Sequence, residues 1–543
     1  MVWFTLMLLA PAPLGAQEPS SPPMVVEVFD PGAFGRSLQH GPLGTALMDS
    51  ELWSNLKDDP RVKAVEVGIG ILLGPVNGEI GDFLDAMAGE GIQIGMTSET
   101  TWSLVARGRD GDLTEDCLRP LLGFVGVSAD QIAGESWSIP VGQAQFVRRG
   151  DDFFLLPPDQ QPPAEGTGIV MPKGYDAARA AANGAKALLF LTGEALRANG
   201  YERYPEDLGA SLLAADLHEV ARVAPWAATA LHLEGGELAL EAYAPCDEEV
   251  LASHAPFFPE VEAAAWPVLP GELMSGTMTR ELGTWWTERD LYADESAVVE
   301  SVEADGNFAL LFGHDPGPEV FAHLEPTMHF VVAPLPQDEA EGLLVEFPGA
   351  AFGMRLREDA PEDLGSAFAN AFIAAVTFAN DDGGAQGYEA FVLGVEPHET
   401  GTLYTARLRR EEGADSLPVR ANLSPSMWMG NDGEIWMSTS AGLAQMAVNA
   451  PRAARPAAGI GFRVVGENAY QLLERNREAF IAQRSLKEGG DMEAAERYVD
   501  LVFAAAQAIE VIEMRSARDG DFFRVRLGVT AGAPKGDQEG ESK

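Results

Sequence analysis

Three of the eight histidines of this chain lie close together in sequence, and clustered imidazoles are candidates for metal chemistry. The stretch "GHDPGPEVFAHLEPTMHF" carries His314, Asp315, His323 and His329. Two or three imidazoles with a carboxylate could hold zinc if this loop folded back on itself. The spacing matches no standard zinc motif, so the alternative is a set of surface or helix-edge histidines. We predict His314, Asp315 and His323 as the metal ligands if such a site exists, and no other motif predicts a cofactor.

Local signatures of the common enzyme classes are missing. The sequence contains no G-x-S-x-G elbow, no H-E-x-x-H pair, no Walker loop and no G-x-G-x-x-G after a predicted strand. A hydrolase without a local motif stays open as an alternative, and His314 with Asp315 would be its candidate members. We expect a non-catalytic protein.

Two adjacent tryptophans form a second candidate site. Trp285 and Trp286 stand beside Glu288 and Asp290, and these residue types stack on sugars and hydrogen-bond to them. Adjacent side chains on a helix point about 100° apart, so one ring is expected in the core rather than in a flat two-ring platform. We predict Trp285 and Trp286 as candidate ligand-binding residues.

Two apolar stretches, "DFFLLPP" and "KALLFLTG", define a third candidate site. Their apolar residues are consecutive, so both faces of each predicted strand are hydrophobic. Burial between two layers explains the pattern. The functional alternative is a groove between sheet and helix that takes up an acyl chain, lined by Phe153, Phe154, Leu189 and Phe190.

The strongly negative net charge of the chain argues against polyanionic partners. The chain of 543 residues has 37 basic and 83 acidic residues, a formal net charge of −46, and this field repels nucleic acid and anionic lipid surfaces. We therefore predict no nucleic-acid partner. With 46% hydrophobic and 22% charged residues the chain has the composition of a folded globular protein. The partners that remain are an envelope protein or a small apolar ligand.

The N-terminus predicts export. An apolar stretch from Val2 to Ala10 is followed by small residues, which is the order of a signal peptide covering residues 1–16, although no Lys or Arg precedes Arg36. No other run is long enough to cross a bilayer, so we do not expect an integral membrane protein. We expect a periplasmic or extracellular location. Cys117 and Cys246 leave open a single disulfide, with a small core residue as the alternative for Cys117.

Periodicity predicts an alternation of strands and amphipathic helices. The clearest helix is 362–379, where Pro361 precedes a four-residue recurrence of apolar positions. The predicted strands are 24–29, 91–96, 101–107, 187–192, 226–233 and 237–244. The other predicted helices are 50–57, 60–73, 79–89, 112–125, 209–223 and 491–507.

Short acidic and glycine turns recur between apolar stretches. Asp-Gly and Gly-Gly pairs supply the positive φ angles that tight hairpins require. The predicted hairpin corners are Asp110-Gly111, Gly235-Gly236, Asp305-Gly306, Asp432-Gly433 and Asp519-Gly520.

Four landmarks keep the same order in the two halves of the chain, which predicts an internal duplication. The landmark pairs are 78–97 with 317–335, 146–156 with 427–438, 187–197 with 459–471, and 229–243 with 512–528. The predicted organisation is a first half at 24–250 with a proline-rich connector at 157–168, a linker at 251–272, a second half at 273–530 and a disordered tail at 531–543.

The segments "GPLGTALMDSELW", "FLTGEALR" and "GNFALLFGHDPGPEVFAHLEP" resemble large exported bacterial proteins classed as a family of unknown function. The resemblance implies export and a duplicated α+β layout, and it assigns no catalytic or ligand residue. The sequence thus predicts an α+β protein of two similar halves, each an antiparallel β-sheet with helices packed on one face. We expect it to act as a binding or structural module, with the acyl-chain carrier as the alternative.

Overall fold

The structure is a computed structural model. The residues that it describes are 23–41, 69–96, 102–158, 160–163, 169–198, 208–246, 265–408, 422–454 and 459–531, apart from 125, 133, 142, 143, 342, 344 and 488, together with residue 259 and isolated positions between 42 and 68. The predicted signal peptide and residues 532–543 of the predicted tail lie outside the described residues, whereas Ala531, the first residue of that tail, is the last residue of a strand.

The strands are numbered β1 to β21 in chain order. They are β1 Met24–Val28, β2 Gly91–Met96, β3 Trp102–Arg107, β4 Ser136–Val141, β5 Ala144–Arg149, β6 Asp152–Leu156, β7 Ala187–Thr192, β8 Trp226–Glu234, β9 Glu237–Pro245, β10 Ala265–Pro267, β11 Met274–Thr279, β12 Thr327–Ala333, β13 Gly349–Arg355, β14 Phe391–His398, β15 Gly401–Leu408, β16 Ser426–Gly430, β17 Glu434–Ser438, β18 Arg452–Ala454, β19 Ile460–Val465, β20 Ile509–Asp519 and β21 Phe522–Ala531.

The helices are numbered α1 to α14 in the same way. They are α1 Pro31–His40, α2 Ile80–Ala88, α3 Gly111–Phe124, α4 Tyr175–Ala181, α5 Gly193–Ala198, α6 Leu208–Val223, α7 Leu282–Thr287, α8 Glu295–Phe312, α9 Gln337–Ala340, α10 Leu364–Ala385, α11 Ala441–Asn449, α12 Gly466–Arg475, α13 Arg477–Lys487 and α14 Met492–Gln507. Among the described residues, no helix combines the length and the apolar character needed to cross a membrane.

The chain is an α+β protein with antiparallel sheet, as the sequence predicts. All six predicted strands are observed within two residues of their predicted ends, and so are the helices predicted at 79–89, 112–125, 209–223 and 491–507. The helix predicted at 362–379 extends to Ala385. The helices predicted at 50–57 and 60–73 fall mostly on positions outside the described residues.

Three of the five predicted hairpin corners lie in turns between consecutive strands. Gly235 and Gly236 join β8 to β9 with φ angles of 57° and 90°, Gly433 lies between β16 and β17 with φ 82°, and Gly520 lies between β20 and β21 with φ 59°. These left-handed angles favour glycine, which explains why the sequence pattern identified the three turns.

The other two predicted corners are wrong. Asp110 precedes α3, where its carboxylate accepts a hydrogen bond from the Leu113 backbone N–H at 2.9 Å and so caps the helix. Asp305 and Gly306 lie inside α8. An Asp-Gly pair is compatible with a helix cap as well as with a turn, so the pair alone does not distinguish the two.

The residues divide into two compact units that are not continuous in sequence. Unit one contains 1–202, 220–246 and 521–543, and unit two contains 203–219 and 247–520. A segment of 17 residues, 203–219, therefore belongs to the unit formed mainly by the second half of the chain, and the last strand belongs to unit one.

Unit one contains an antiparallel sheet in the order β4-β5-β6-β3-β2-β1-β7-β8-β9-β21. Helix α3 is attached to this sheet by ion pairs with the buried Arg148 side chain. The guanidinium of Arg148 on β5 contacts Glu115 at 2.6 Å and Asp112 at 2.7 Å, and the Trp137 indole N–H donates to Glu115 at 3.1 Å. Burial alone would raise the pKa of Glu115, but hydrogen bonds from Arg119, Trp137 and Arg148 hold it below its usual range.

Unit two contains an antiparallel sheet in the order β14-β15-β16-β17-β13-β12-β11-β19-β20, with β10 and β18 paired separately. Helix α10 covers part of the sheet, where Leu364 and Phe368 pack in a core with Met427 and Ile435. The chain then runs from β19 through α12, α13 and α14 to β20.

The two sheets share one strand order. Strand β1 of unit one corresponds to β11 of unit two. On one side of these strands, the order β2, β3, β6, β5, β4 in unit one corresponds to β12, β13, β17, β16, β15 in unit two. On the other side, β7 and β8 correspond to β19 and β20. Three of the four landmark pairs fall on strands that match in this way, and in the fourth pair β8 matches β20. Internal duplication stays a prediction, and the common strand order supports it.

Cys117 and Cys246 are both buried and are not joined by a disulfide. Cys117 packs on α3 against Leu73 and Phe83, where it fills space as a small core residue. Burial raises the pKa of its thiol, with the neighbouring Asp116 adding to the effect.

Candidate functional site

The residues of the predicted acyl-chain groove are packed in separate cores. Phe153 stacks on Phe146 with ring centroids 5.8 Å apart and meets Trp137 edge-on, and it is buried. Phe154, its neighbour on β6, points to the other face and packs with Val105 in a different cluster. Consecutive side chains of a strand face opposite sides, so these two phenylalanines do not line one groove.

The second half of the predicted groove lies in a third core. Phe190 is fully buried, stacked on Trp226 at 5.7 Å and edge-on to Tyr175 at 5.6 Å. Leu189, on the opposite face of β7, is partly buried. The structure therefore does not bring Phe153, Phe154, Leu189 and Phe190 together. The alternative, burial of strands that are covered on both faces, describes these residues.

The two tryptophans of α7 are both buried, where the helical spacing predicted only one in the core. Their rings meet at 64° with centroids 5.8 Å apart, so they do not form a flat platform. The Trp286 indole N–H donates to Asp305 at 2.8 Å, and the Arg289 guanidinium lies 4.9 Å from the centre of the same ring. These contacts anchor α7 to α8 and leave no open ring face for a sugar.

The predicted metal ligands have structural contacts. The Asp315 carboxylate accepts from the Gly317 backbone N–H at 3.1 Å, which caps the short helical turn that follows, and His314 lies 3.4 Å from Glu319. Within the part of the chain that the structure describes, no group of three or more His, Cys, Asp or Glu side chains could hold a metal ion. His314, Asp315 and His323 therefore do not form a set of metal ligands.

An open apolar depression lies instead among the last helices of unit two, and we call it the helical groove. It has two lobes that share Leu473, Phe480 and Gln483. The lobe between α13 and α14 has a volume of about 290 Å³ and is called lobe A. The lobe between α12, α13 and the segment 345–348 has a volume of about 300 Å³ and is called lobe B. Each volume lies near the lower end of the range for ligand sites.

The floor and walls of lobe A are apolar. Val499 and Phe503 of α14 are buried and form the floor with Leu473. The walls are Phe480 of α13 and Val502 and Tyr498 of α14, which remain 38%, 38% and 47% exposed. These three side chains are grouped around a concave site, and such a grouping is typical of a binding surface.

One wall of lobe B is formed by the segment 345–348, which is distant in sequence from α12 and α13. The side chain of Asn476, at the start of α13, accepts from the Glu346 backbone N–H at 2.9 Å and donates to the Glu346 carbonyl at 2.7 Å. Asn422 makes the equivalent pair of bonds to Phe347 N–H at 2.9 Å and to the Val345 carbonyl at 3.0 Å. The two amides replace the partner strand that this extended segment lacks, and they hold the wall in one position.

Glu346 places a carboxyl group beside the apolar surface of lobe B. Its side chain is only 12% exposed and lies 3.4 Å from Arg475. Burial raises the pKa of Glu346, while Arg475 and a backbone hydrogen bond from Leu335 oppose the rise. One carboxyl oxygen of Glu346 is buried without a hydrogen-bond partner among the described residues.

The rim of lobe A is basic. Gln483, Arg484 and Lys487 line it, and no acidic residue is among the residues that line this lobe in the described part of the chain. The Arg484 guanidinium lies 4.0 Å from the centre of the Tyr498 ring, a cation–π contact that keeps it at the rim.

The sequence contains one signal for this site, on α13. Phe480, Gln483, Arg484 and Lys487 follow one another at helical spacing, which places them on one face of α13. The segment 477–487 was not among the predicted helices. The wall at 345–348 has no such signal, because it reaches the groove through contacts 130 residues apart in sequence.

The groups that line the helical groove can bind a ligand. Its described lining residues include no Ser, Cys or His. The groove offers apolar surface, two cations at one lobe and a poorly solvated carboxyl group at the other.

Comparison with known proteins does not identify a family. No protein-family model matches the sequence, and no curated protein matches it. Two solved structures, crystal forms I and III of TP0453, align with 45% and 46% of this chain and with 86% and 90% of theirs, at 8% identity in both cases. Their TM-scores are 0.22 and 0.20, which is too low to assign a fold or a function.

Proposed function

We propose that the protein is an exported, non-catalytic binding protein that takes up the apolar part of a small ligand in the helical groove. The observation that carries the proposal is the concave surface of lobe A, where Phe480, Tyr498 and Val502 stay partly exposed above a buried apolar floor. Covering these side chains with a ligand removes apolar surface from water, which is the main source of affinity in such sites.

The charge of the whole chain is consistent with a small ligand rather than a membrane surface or nucleic acid. A net charge of −46 repels polyanions over the range of a Debye length, whereas a single small molecule meets only the local field of the groove. Export, taken from the N-terminal sequence, is part of the same proposal.

Nile red, an uncharged dye that fluoresces in apolar surroundings, tests uptake without involving the basic rim. We expect saturable binding to the mature chain, residues 17–543, purified without detergent. Val502→Trp fills lobe A from an exposed position on α14 and should abolish most of that binding. Phe480→Asp, which puts a charge where both lobes meet, should do the same.

Leu486→Trp is the matched control, because Leu486 lies on α13, is 84% exposed and lines neither lobe. It should bind the dye like the unmodified protein, and circular dichroism should show all three variants folded. Dye binding that survives both groove substitutions would place the apolar site elsewhere and refute this assignment.

A further inference from the structure

The basic residues of α13 lie on the face that lines lobe A. Helix α13 carries Arg477, Arg484 and Lys487 against a single acid, Glu478. Arg484 and Lys487 are three residues apart and both line the lobe. In a chain with 83 acidic and 37 basic residues, this lobe is a local exception, because its described lining residues include two cations and no acid.

The helix dipole accounts for basic residues in the last turn of α13, but not for the face they occupy. Cations near a helix C-terminus are favourable on any side of the axis. Leu486, in the same turn, is 84% exposed and lines neither lobe, so a solvent-facing position for a cation was available. Both cations of this turn nevertheless border the apolar walls.

Arg484 is also held in place by its surroundings. Its contact with the Tyr498 ring, at 4.0 Å, orders a side chain that otherwise has many rotamers. A cation ordered at the edge of an apolar cavity provides an electrostatic partner for the polar end of an amphiphile, and the cavity provides the apolar partner for its chain.

We propose that the ligand is a single-chain amphiphile with an anionic head group, a carboxylate or a phosphate. This inference rests on the proposed uptake of an apolar ligand by the helical groove. The alkyl chain lies against Phe480, Val502 and the floor of lobe A, and the head group meets Lys487 and Arg484 at the rim. Association is reversible and involves no covalent step.

Chain-matched probes separate the head group from the chain. Dodecanoate, dodecyl phosphate, dodecanol and dodecyltrimethylammonium are compared as competitors of bound Nile red, below their micelle concentrations and at low ionic strength. We expect at least one of the two anions to bind about tenfold more tightly than dodecanol, since one charge-assisted contact supplies about that factor. The cationic probe should bind most weakly. The anion that binds tighter identifies the head-group source.

Lys487→Gln should weaken the anionic probes about tenfold and leave dodecanol unchanged, and Lys487→Arg should restore them. The control Arg497→Gln removes a cation of α14 that is 65% exposed, pairs with Glu493 at 2.7 Å and does not line the groove. It should leave every affinity unchanged.

Two outcomes would overturn the inference, and they differ from failure of the proposed function. If dodecanol or the cationic probe displaces Nile red as well as both anions do, the groove does not select a head-group charge, although uptake stands. If Lys487→Gln changes the affinity of all probes equally, Lys487 supports the structure of the lobe and does not select the charge of the head group. If Nile red itself does not bind, the proposed function fails together with this inference.

Discussion

At the scale of single residues, His329 shows how burial changes the pKa of a side chain. The sequence groups this histidine with the candidate metal ligands. It lies on β12, and its ring is parallel to within 22° with that of Trp436 at 6.4 Å. Burial lowers the pKa of His329 to about 4, Arg452 and Arg355 contribute to the decrease, and Glu434 opposes it. The imidazole is therefore neutral in the folded protein near pH 7.

The stability of unit two should depend on pH through this histidine. Above its unfolded pKa of 6.5 the imidazole is neutral in both states, so the contribution to stability is complete. Between pH 6.5 and about 4 only the unfolded chain binds the proton, and the free energy of unfolding falls by up to about 3 kcal/mol.

Urea unfolding of the full chain at pH 7, 6, 5 and 4, compared between the unmodified protein and His329→Gln, measures this term. The variant should lose less stability on acidification, by about that amount. His398→Gln, at an exposed position of β14, is the control and should follow the unmodified protein. Identical pH profiles for all three proteins would show that His329 takes up its proton equally in both states.

The residue scale also shows the limit of sequence reasoning about sites. Paired aromatic residues such as Trp285 and Trp286 occur both in binding surfaces and in cores. The residues that pack against them in the fold determine which of the two they form. Here Asp305 and Arg289 supply those neighbours. The same holds for Phe153 and Phe154, which the pleat directs into two different cores.

At the scale of elements, helices and strands were predictable because local periodicity determines them. Helix α14 follows from an apolar recurrence with Asp491 as its N-cap, whose carboxylate accepts from the Ala494 backbone N–H at 2.9 Å. The helical groove was not predictable in the same way. Its second lobe needs the segment 345–348, and tertiary contacts through Asn422 and Asn476 bring that segment to α12 and α13.

Asn476 is therefore expected to control the shape of lobe B. Asn476→Ala removes both bonds to the Glu346 backbone, leaves a partly buried N–H and carbonyl without partners, and should lower stability by about 2 to 3 kcal/mol. Amide hydrogen exchange at 345–348 should accelerate, and dye binding to the groove should weaken.

Asn449→Ala is the matched control for that substitution. Asn449 also bonds a backbone carbonyl, that of Gln445 at 2.8 Å, but its bond lies within α11 at an exposed position. It should change neither exchange at 345–348 nor dye binding. Unaltered exchange in Asn476→Ala would mean that Asn422 alone fixes the wall.

At the scale of the whole molecule, the shared strand order supports an ancestral duplication that the sequence alone predicted from four landmarks. If the halves arose by duplication, diffuse sequence similarity is expected, because many apolar sequences satisfy the same buried positions while the order of strands is conserved. The division into units could not be predicted, because residues 203–219 and 521–543 belong to the unit opposite to their position in the chain.

The last strand shows most clearly that a segment from one end of the chain can belong to the unit built mainly from the other half. Strand β21 pairs with β9 over Phe522–Thr530, and Phe523 is buried. Phe522 packs on Trp226 and Tyr243 with ring centroids 6.0 and 6.4 Å away. A truncation after Gly520 removes these contacts and leaves β9 as an open sheet edge with an exposed aromatic core.

We therefore expect truncation after Gly520 to destabilise unit one, which is built mainly from the first half of the sequence, by at least 3 kcal/mol, about the cost of losing one buried phenylalanine. Amide exchange at 226–245 should accelerate and aggregation should increase. Truncation after Ala531, which keeps β21, should leave both unchanged. If the shorter chain protected 226–245 as well as the longer one, β21 would be an accessory to a complete unit, and the first half would fold without it.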